Sequence, residues 1–316
     1  MQSEPRITLV ICTYNRAAYL KDTLQDLAAQ DAPAGLFEIL VVNNNSEDET
    51  ELVSRQFGEE NPGLAFRMVT EREKGLSHAR NRAVSEAAAP VIHYIDDDVY
   101  LPDKYITTVL KYLEMFPEAR CAGGRIRVSF DSEGKKDRLA WIPSELMPMF
   151  GLHELGEKPR IYPPGDFPRG GNMLIFKSVF QKYGAFDVRL GRTGKKLLGS
   201  EEKAFFERVR ENGVKLYYWP EMELTHRIGA TRLKKEYLRR QSEGIGESEG
   251  LRVKGSWTET SIKGASEVGK AAVSLLLSLL YLLKGKPYAA GFLLKFRYWV
   301  FIGFVRGAFG NTERSD

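Results

Sequence analysis

Three consecutive aspartates, Asp96-Asp97-Asp98, follow the apolar run Val91–Ile95, which has the composition of a buried strand. Carboxylates this close together repel one another unless a cation or several hydrogen-bond donors offset their charge. A hard cation such as Mg²⁺ or Mn²⁺ meets that need, because it is commonly held by one or two carboxylates together with diphosphate oxygens. The alternative is a solvated acidic turn, or an N-cap for a helix that begins near Pro102. The position after a buried strand favours the metal site.

Two glutamates and a histidine add acid–base and ligand chemistry. Glu201 and Glu202 follow Gly199 at the start of a predicted helix, whose dipole stabilises ionised carboxylates in its first turn. An ionised carboxylate can act as a general base, although acidic residues are also common helix caps. His226 comes after the apolar strand Val214–Trp219, and a neutral imidazole is a good ligand for Mn²⁺. The alternative for the histidine is a structural residue at a strand end.

The elements around these residues alternate between strand and helix. Three apolar, β-branched runs are typical of strands buried on both faces: Ile7–Cys12, Glu38–Val42 and Val91–Ile95. This alternation predicts an α/β fold, with a mostly parallel twisted sheet and helices on both faces. Each strand ends in a polar cluster: Thr13–Asn15, Asn43–Ser46 and Asp96–Asp98. Because ligands bind beyond the carboxyl ends of parallel strands, the three clusters should meet in one crevice.

Length and composition exclude several classes of protein. The 316 residues are 43% hydrophobic and 28% charged, which is typical of a globular chain, and the length fits one large α/β domain with an appendage or two modest domains. The two cysteines, Cys12 and Cys121, are too few for a disulfide framework or a four-ligand zinc site. No GxGxxG segment opens a helix, so a dinucleotide-dependent oxidoreductase has little support. The first residues lack the pattern of a secretory signal, so we expect a protein of the cytoplasm.

Several segments resemble the motifs of the family 2 inverting glycosyltransferases, which have the GT-A fold. In chain order the seven matching segments are Thr13–Arg16 (TYNR), Val41–Thr50 (VVNNNSEDET), Gly75–Ala83 (GLSHARNRA), Asp96–Asp98 at the position of a DxD motif, Gly170–Phe176 (GGNMLIF), Gly199–Arg208 (GSEEKAFFER), and His226 with Arg232. Each segment alone is weakly specific. Their order over roughly residues 7–250 is that of the family, and it is the order that carries the resemblance.

The resemblance implies a donor site with a metal cofactor. The residues that it assigns to the nucleotide are Thr13, Tyr14, Asn15, Arg16, Asn43, Asn44, Lys74, Arg80, Asp96 and Asp97. For Lys74 and Arg80 a surface role is an equal alternative. The resemblance implies Asp98 and His226 as ligands of Mn²⁺ or Mg²⁺, with Asp96 toward the ribose. The expected donor is a nucleotide-diphosphate sugar, with a UDP-sugar favoured and GDP- or dTDP-sugars as alternatives.

On the acceptor side the resemblance implies Gly171 and Asn172, with Glu202 as the general base and Glu201 orienting acceptor hydroxyls. The sequence departs from the family pattern at two points. An asparagine pair that begins at Asn43 stands where the family commonly has an aspartate against the base. An amide offers both a donor and an acceptor, so it can still pair with an edge such as that of uracil. The second glutamate of the acidic pair replaces an aspartate and is one methylene longer.

The C-terminal part of the chain has a different character. The net charge is −8 over residues 1–100 and +8 over residues 227–316. The apolar stretch Val268–Leu283 is shorter than the roughly 20 residues that span a bilayer, and Tyr288–Phe309 is interrupted by three cations. This combination favours amphipathic helices that lie in the membrane interface, with cations reaching anionic headgroups. The alternatives are a soluble helical hairpin and a re-entrant or spanning pair.

These observations predict a GT-A glycosyltransferase domain over residues 1–250, with a nucleotide-binding half (1–100) and an acceptor half (101–250), followed by a basic, apolar helical tail over 251–316. The predicted reaction is inverting, metal-assisted transfer of a sugar to a lipid-linked or membrane-held glycan, as in synthesis of a bacterial envelope polysaccharide. The alternative is a non-catalytic subunit that binds sugar nucleotides or assembles such a complex. We expect the protein at the cytoplasmic face of the inner (cell) membrane, peripheral or monotopic. Nucleic acid is not an expected partner, because the cations of the tail alternate with long apolar runs.

Overall fold

A computed structural model describes residues 4–131, 141–192 and 199–310. The chain divides into two compact units. The first unit comprises Met1–Ser129, Gly151–Val188 and Glu201–Ile228, and the second comprises Phe130–Phe150, Arg189–Ser200 and Gly229–Asp316. The residues predicted to do chemistry therefore all belong to the first unit.

The first unit is built on a nine-stranded mixed sheet. Its strands are β1 (Ile7–Thr13), β2 (Phe37–Asn43), β3 (Ala65–Thr70), β4 (Val91–Ile95), β5 (Val99–Tyr100), β6 (Cys121–Phe130), β7 (Arg160–Ile161), β8 (Asn172–Phe176) and β9 (Leu216–Ile228). Their order is β3-β2-β1-β4-β8-β6-β9-β5, and β7 pairs with β9. The first four strands in this order are parallel, whereas β8 is antiparallel to β4 and β5 is antiparallel to β9. The carboxyl ends of β1, β2 and β4 thus meet at one edge, as the sequence predicts.

Helices cover both faces of the sheet, which confirms the predicted layering. They are α1 (Ala17–Ala28), α2 (Thr50–Glu60), α3 (Leu76–Glu86), α4 (Tyr105–Met115), α5 (Lys177–Tyr183) and α6 (Glu201–Glu211). Leu9 and Val10 point to opposite faces of β1 and enter two different hydrophobic clusters. Helices α1, α2 and α4 supply the cluster around Leu9, and α3, α5 and α6 supply the cluster around Val10. Strand β1 is buried on both faces for this reason.

Strand β9 is longer than the sequence pattern indicates. The predicted strand stops at Trp219 because Pro220 follows, and a proline cannot donate a ladder hydrogen bond. The observed strand continues through Pro220 to Ile228, and its last residues alternate between buried and half-buried. His226 therefore lies within a strand rather than after one. This extension carries the histidine to the edge of the sheet where the aspartates end β4.

The second unit contains three long helices, α7 (Lys235–Val253), α8 (Trp257–Leu283) and α9 (Pro287–Phe309). Helices α7 and α9 run parallel and touch backbone to backbone through glycines. A Cβ atom on Gly246 would lie 1.9 Å from the carbonyl oxygen of Val300, and one on Gly303 would lie 2.0 Å from that of Glu243. No side chain larger than hydrogen fits at such contacts, so glycine sets the distance between the two helices.

Helix α8 has polar residues inside and apolar residues outside. Its buried residues are Thr260, Glu267, Ser274 and Ser278. Its exposed residues include Leu275, Leu276, Leu279, Leu280, Leu282 and Leu283, each more than half exposed. Both α8 and α9 are long and apolar enough to cross a membrane, by length and composition alone. The predicted first stretch is too short for a span, but the helix that contains it begins eleven residues earlier, at Trp257, and has 27 residues.

Candidate active site

The loops after β1 and β2 are joined by asparagine and serine side chains. Asn15 and Asn45 have positive φ angles of 54° and 61°, a conformation that asparagine adopts more readily than most residues. Asn15 Oδ1 accepts a hydrogen bond from Glu47 N (2.7 Å), and Asn15 N donates to Ser46 Oγ (3.0 Å). Two of the three predicted polar clusters therefore form one continuous wall of the crevice.

Asp97 ties this wall to the third cluster. Thr13 Oγ1 donates a hydrogen bond to Asp97 Oδ2 (2.7 Å), and Arg16 Nη1 lies 3.3 Å from Asp97 Oδ1. Burial raises the pKa of Asp97 to about 6, against the lowering effect of Arg16. Asp97 thus joins the end of β1 to the end of β4. That Thr13, Arg16 and Asp97 contact the nucleotide stays a prediction.

Asp98 is fully buried and is contacted from two sides. Arg16 Nη2 lies 2.6 Å from Asp98 Oδ2, and His226 Nε2 lies 3.2 Å from Asp98 Oδ1. The histidine reaches the aspartate because β5 and β9 pair Val99 with His226. Burial alone would lower the pKa of Arg16, but the charges of Asp97 and Asp98 outweigh it and raise the pKa above its ordinary value.

Asp96, Asp98 and His226 form a candidate metal site. Each offers one ligand atom, and these atoms all lie within 4.8 Å of one another. Two carboxylates and an imidazole are a donor set that suits a divalent cation. Gly151, at φ 99°, packs against the imidazole, where a Cβ would lie 2.7 Å from His226 Nδ1. The donor set and its spacing fit a divalent metal ion.

Glu201 and Glu202, at the start of α6, converge on Arg80 of α3. Arg80 Nη1 lies 2.9 Å from Glu201 Oε1 and 3.0 Å from Glu202 Oε1. Burial would lower the pKa of Arg80, but the charges of Glu202 and Glu201 raise it above its ordinary value. Glu201 is 1% exposed, whereas the Glu202 side chain is 17% exposed. Of the two, only the Glu202 side chain is partly exposed to solvent.

A glycine doublet separates the two acidic groups. A Cβ on Gly170 would lie 2.1 Å from both Arg80 Nη2 and Glu202 Oε1, and one on Gly171 would lie 2.6 Å from Asp96 Oδ2. Both glycines therefore allow charged side chains to approach the backbone that enters β8. The doublet places the glutamate pair and the aspartate cluster on the two sides of one short segment.

The asparagines after β2 have structural partners. Asn43 Oδ1 accepts a hydrogen bond from Ser46 N (2.9 Å). Asn44 Oδ1 accepts from Gly75 N (2.7 Å), and its Nδ2 donates to the carbonyl oxygen of Glu73 (2.7 Å). Asn44 thus holds the loop that starts α3.

Two predicted nucleotide contacts lie near the surface of the same crevice. Lys74 Nζ lies 5.6 Å from the centre of the Tyr14 ring and 3.4 Å from Glu47 Oε1. The ion pair of the exposed lysine with Glu47 is screened by solvent, so it holds the lysine only weakly. Whether Tyr14 and Lys74 contact the base or the phosphates stays a prediction.

Asn172, predicted on the acceptor side, is fully buried in a polar cluster. Its Nδ2 donates to the carbonyl oxygens of Arg125 (3.0 Å) and Met222 (2.8 Å). Its Oδ1 accepts from Tyr105 Oη (2.7 Å) and lies 3.2 Å from His93 Nε2. Asn172 therefore fastens β8 to the elements around it.

Sequence reasoning assigned no site role to two residues that shape the site, Gly170, which begins a matched segment, and Gly151. The first had a signal, because a Gly-Gly doublet directly before a buried strand marks a close approach of the backbone to other groups. The second had none, since its role depends on His226, which is 75 positions away in the chain.

Comparisons with known proteins agree with this fold. A glucosyl-dolichyl phosphate glucuronosyltransferase of Haloferax volcanii is 22% identical over 236 residues, which are 74% of this chain and 72% of the relative. A mannosyltransferase from Pyrobaculum calidifontis, solved with GDP-Man and Mn²⁺, superposes with a TM-score of 0.63 at 17% identity and covers 97% of this chain and 88% of its own. Residues 1–349 of S. aureus TarS, solved with UDP, give a TM-score of 0.54 at 15% identity, covering 96% and 92%. These neighbours confirm the predicted GT-A fold.

The model of the family described as glycosyl transferase family 2 matches residues 8–184, more than half of the chain. The matched region contains β1 to β4, the aspartate cluster and the glycine doublet. The chain is a glycosyltransferase that belongs to glycosyl transferase family 2.

Proposed function

We propose that this glycosyltransferase transfers a sugar with inversion, using Glu202 as the general base. The acceptor hydroxyl loses its proton to Glu202 as its oxygen bonds to the anomeric carbon, while the bond from that carbon to the diphosphate breaks on the opposite face. The observation that carries the proposal is the glycine doublet, which borders Glu202 through Gly170 and Asp96 through Gly171. A base and a leaving-group site on either side of one short segment suit an in-line displacement.

On the donor side the proposed cofactor is Mn²⁺ or Mg²⁺. A divalent cation held by Asp96, Asp98 and His226 would stabilise the negative charge of the departing diphosphate. Arg16 orients Asp98 for this role through its 2.6 Å contact. Asp97 keeps the cluster attached to β1 through Thr13.

On the acceptor side Arg80 positions the base. Its guanidinium holds both glutamates at about 3 Å, so Glu202 is fixed against the substrate side of the crevice. The buried Glu201 acts on Arg80, and in the proposal this role replaces the predicted contact with acceptor hydroxyls. Removing Glu201 would take one carboxylate from Arg80, so that Arg80 would hold the general base Glu202 in place less firmly.

The proposed donor is a nucleotide-diphosphate sugar, with a UDP-sugar favoured and GDP- or dTDP-sugars as alternatives. Solved neighbours hold GDP-Man or UDP, which supports the nucleotide class and leaves the base open. The proposed acceptor is a lipid-linked or membrane-held glycan of a cell envelope. The name of the Haloferax volcanii relative, with its dolichyl phosphate, supports an acceptor on a lipid.

We place the second unit on the cytoplasmic face of the cell membrane, lying in the interface. The exposed leucines of α8 support contact with lipid, because this helix turns its apolar residues outward while its buried residues are polar. Helix α7 supports an orientation of α9 along the membrane surface. It packs along α9 and carries Glu243, Glu247 and Glu249. If α9 crossed the bilayer, α7 would take these charges into the hydrocarbon, where each is costly.

The domain division is also a proposal. Residues 1–250 would form the GT-A domain, with a nucleotide-binding half over 1–100 and an acceptor half over 101–250, and residues 251–316 would form the membrane-associating tail. The order of the sheet supports the two halves, because its parallel strands all lie within residues 1–100.

Replacing the base tests the catalytic proposal. Glu202→Gln should reduce turnover about 10³-fold, because a general base typically contributes 10²–10⁴. Nucleotide binding should be unchanged, since the amide keeps the shape of the carboxylate. The measurement is calorimetric titration with UDP, GDP and dTDP, each with and without Mn²⁺, followed by donor turnover with the nucleotide that binds.

Glu211→Gln, at the exposed end of the same helix, is the matched control and should retain full turnover. Equal turnover in Glu202→Gln and the parent would remove Glu202 from the mechanism. Tight nucleotide binding without turnover in the parent chain, with any acceptor, would favour the non-catalytic subunit instead.

Replacing two exposed leucines of α8 tests the membrane placement. Leu276 and Leu280 are 63% and 51% exposed, so Leu276→Ser with Leu280→Ser removes apolar area that would otherwise enter the interface. Recovery with anionic vesicles should fall by about 30-fold or more, at roughly 1–2 kcal/mol for each half-inserted leucine. The control is Leu52→Ser with Ile161→Ser, two exposed apolar residues of the first unit. Equal losses in both pairs would contradict a membrane role for α8.

A further inference from the structure

The second unit contains a cavity of about 390 Å³ that is lined by residues of α7 and α9 and by Trp141. One side of the cavity is aromatic. The ring of Phe292 lies edge-on to Trp141 at 4.9 Å and to Trp299 at 6.5 Å. A cavity with such walls excludes water from an apolar guest and holds it by contact.

Two lysines line the same cavity from different helices. Lys235 is the first residue of α7, and Lys295 lies in the third turn of α9. In the described part of the chain neither lysine has a carboxylate within ion-pair distance. The positive end of the α7 dipole adds to this charge. The cavity therefore combines apolar walls with two cations that an anionic group would neutralise.

The cavity also borders surfaces that suit lipid. Tyr288 and Tyr298 of α9 are 82% and 63% exposed, and Leu294 beside them is 40% exposed. Tyrosine is enriched where an apolar phase meets water. Aromatic and apolar side chains of α9 are therefore exposed beside the cavity.

We propose that this cavity binds the phosphate and the adjoining chain of an isoprenoid lipid that carries the acceptor. The lysines would hold the phosphate, and the aromatic walls would hold the first part of the chain. At about 390 Å³ the cavity is at the small end of ligand pockets, which favours one chain over the two chains of a phospholipid. The proposal rests on the lipid-linked acceptor of the proposed function.

A photoreactive probe tests the site in the full chain. The probe is geranylgeranyl phosphate with a diazirine on its chain, added to the protein in phosphatidylcholine nanodiscs, and the labelled peptides are identified by mass spectrometry. Labels should fall on the segments that contain Trp141 and Phe292. Unlabelled geranylgeranyl phosphate should compete, whereas geranylgeraniol, inorganic phosphate and phosphatidylglycerol should not.

Two variants change the cavity in different ways. Lys235→Ala with Lys295→Ala should weaken competition by unlabelled geranylgeranyl phosphate about 30-fold, since each lysine near a lipid phosphate contributes about 1 kcal/mol, which is roughly fivefold. The control is Lys284→Ala with Lys286→Ala, which removes the same charge from the turn between α8 and α9. Gly291→Leu should abolish the labelling, because a Cβ there meets no atom within 4 Å and the side chain would fill the cavity that the glycine lines.

The outcomes separate this site from the proposed function. Labelling that is unchanged in both cavity variants, or competition by phosphatidylglycerol equal to that by geranylgeranyl phosphate, would overturn the site. Sugar transfer to an isoprenoid-linked acceptor that persists in Gly291→Leu would leave the proposed function standing without the site. Labelling that is sensitive to both variants, with no transfer to any isoprenoid-linked acceptor by the parent chain, would support the site and overturn the proposed acceptor. Nucleotide binding in the presence of Mn²⁺ reports that each variant is folded.

Discussion

Buried carboxylates occur in both units, and they are neutralised differently. In the described residues of the first unit, five carboxylates from two segments converge on two arginines: Asp96, Asp97 and Asp98 with Arg16, and Glu201 and Glu202 with Arg80. The charge there is negative on balance. A cluster of this kind has a use for a cationic ligand, because the ligand would relieve repulsion between the carboxylates.

In the second unit the buried Glu267 and the half-buried Glu249 share three cations. Glu249 lies 3.2 Å from Arg252 and 2.5 Å from Lys263, and Glu267 lies 2.7 Å from Lys270 and 3.4 Å from Lys263. Here the charges are compensated within the helices. Such a network has a structural use and needs no ligand. The balance of charge, more than burial, therefore separates a candidate site from a structural ion-pair network.

Replacing Asp98 should give the largest difference between the two groups of carboxylates. Asp98→Asn should remove metal-dependent nucleotide binding and lower turnover about 10³-fold, because the cation is asked to supply several kcal/mol of charge stabilisation. The fold should be retained, since the substitution reduces repulsion with Asp97. Binding of Mn²⁺ is measured by electron paramagnetic resonance in the presence and absence of nucleotide, and turnover is measured separately.

Asp103→Asn is the control for this change, because it removes the same charge from an exposed residue near the start of α4. It should leave Mn²⁺ binding and turnover as they are. Mn²⁺ binding of parental strength in Asp98→Asn would mean that the aspartate surplus does not serve a metal.

Replacing a carboxylate of the second unit should lower the free energy of unfolding without changing metal binding. Glu267→Gln removes the carboxylate that lies 2.7 Å from Lys270. The loss of a charged contact of this kind costs about 1–3 kcal/mol in the free energy of unfolding. The free energy of unfolding is measured by urea titration in detergent, together with Mn²⁺ and nucleotide binding. Glu259→Gln, exposed in the first turn of α8, is the control and should change little. A loss of Mn²⁺ binding in Glu267→Gln would contradict the distinction between the two networks.

The sequence predicts the parallel half of the sheet and its crevice because both depend on local signals. Runs such as Ile7–Cys12 are apolar throughout, and each is followed at once by polar residues. Parallel pairing then brings the ends together with no further information. The aspartate cluster was predictable for the same reason, since Asp96–Asp98 directly follow one strand.

Contacts between distant segments were not predictable in this way. Arg80 and Glu202 are 122 residues apart, and no local pattern couples them. The path of β9 through Pro220 also has a non-local cause, since the partner strands decide whether a missing donor is tolerated. In α8 the apolar composition was visible in sequence, but the inward position of Glu267 and Ser274 depends on the faces that α7 and α9 present.

His93 is a third kind of buried polar group, because it is neutral and belongs neither to a surplus of negative charge nor to an ion-pair network. It should make the free energy of unfolding depend on pH. Burial lowers the pKa of His93 to about 4, where it stays neutral between Tyr105 and Asn172. Below its ordinary value of about 6.5 the unfolded chain binds a proton that the folded chain refuses, so stability should fall by about 1 kcal/mol between pH 6.5 and 5.5. Unfolding in urea at several pH values measures this slope. His93→Leu should reduce the slope. The control His78→Leu, at a half-buried position of α3, should leave the slope unchanged. A slope that is unchanged by His93→Leu would assign the pH dependence to other groups, first to His153, whose pKa burial also lowers to about 4.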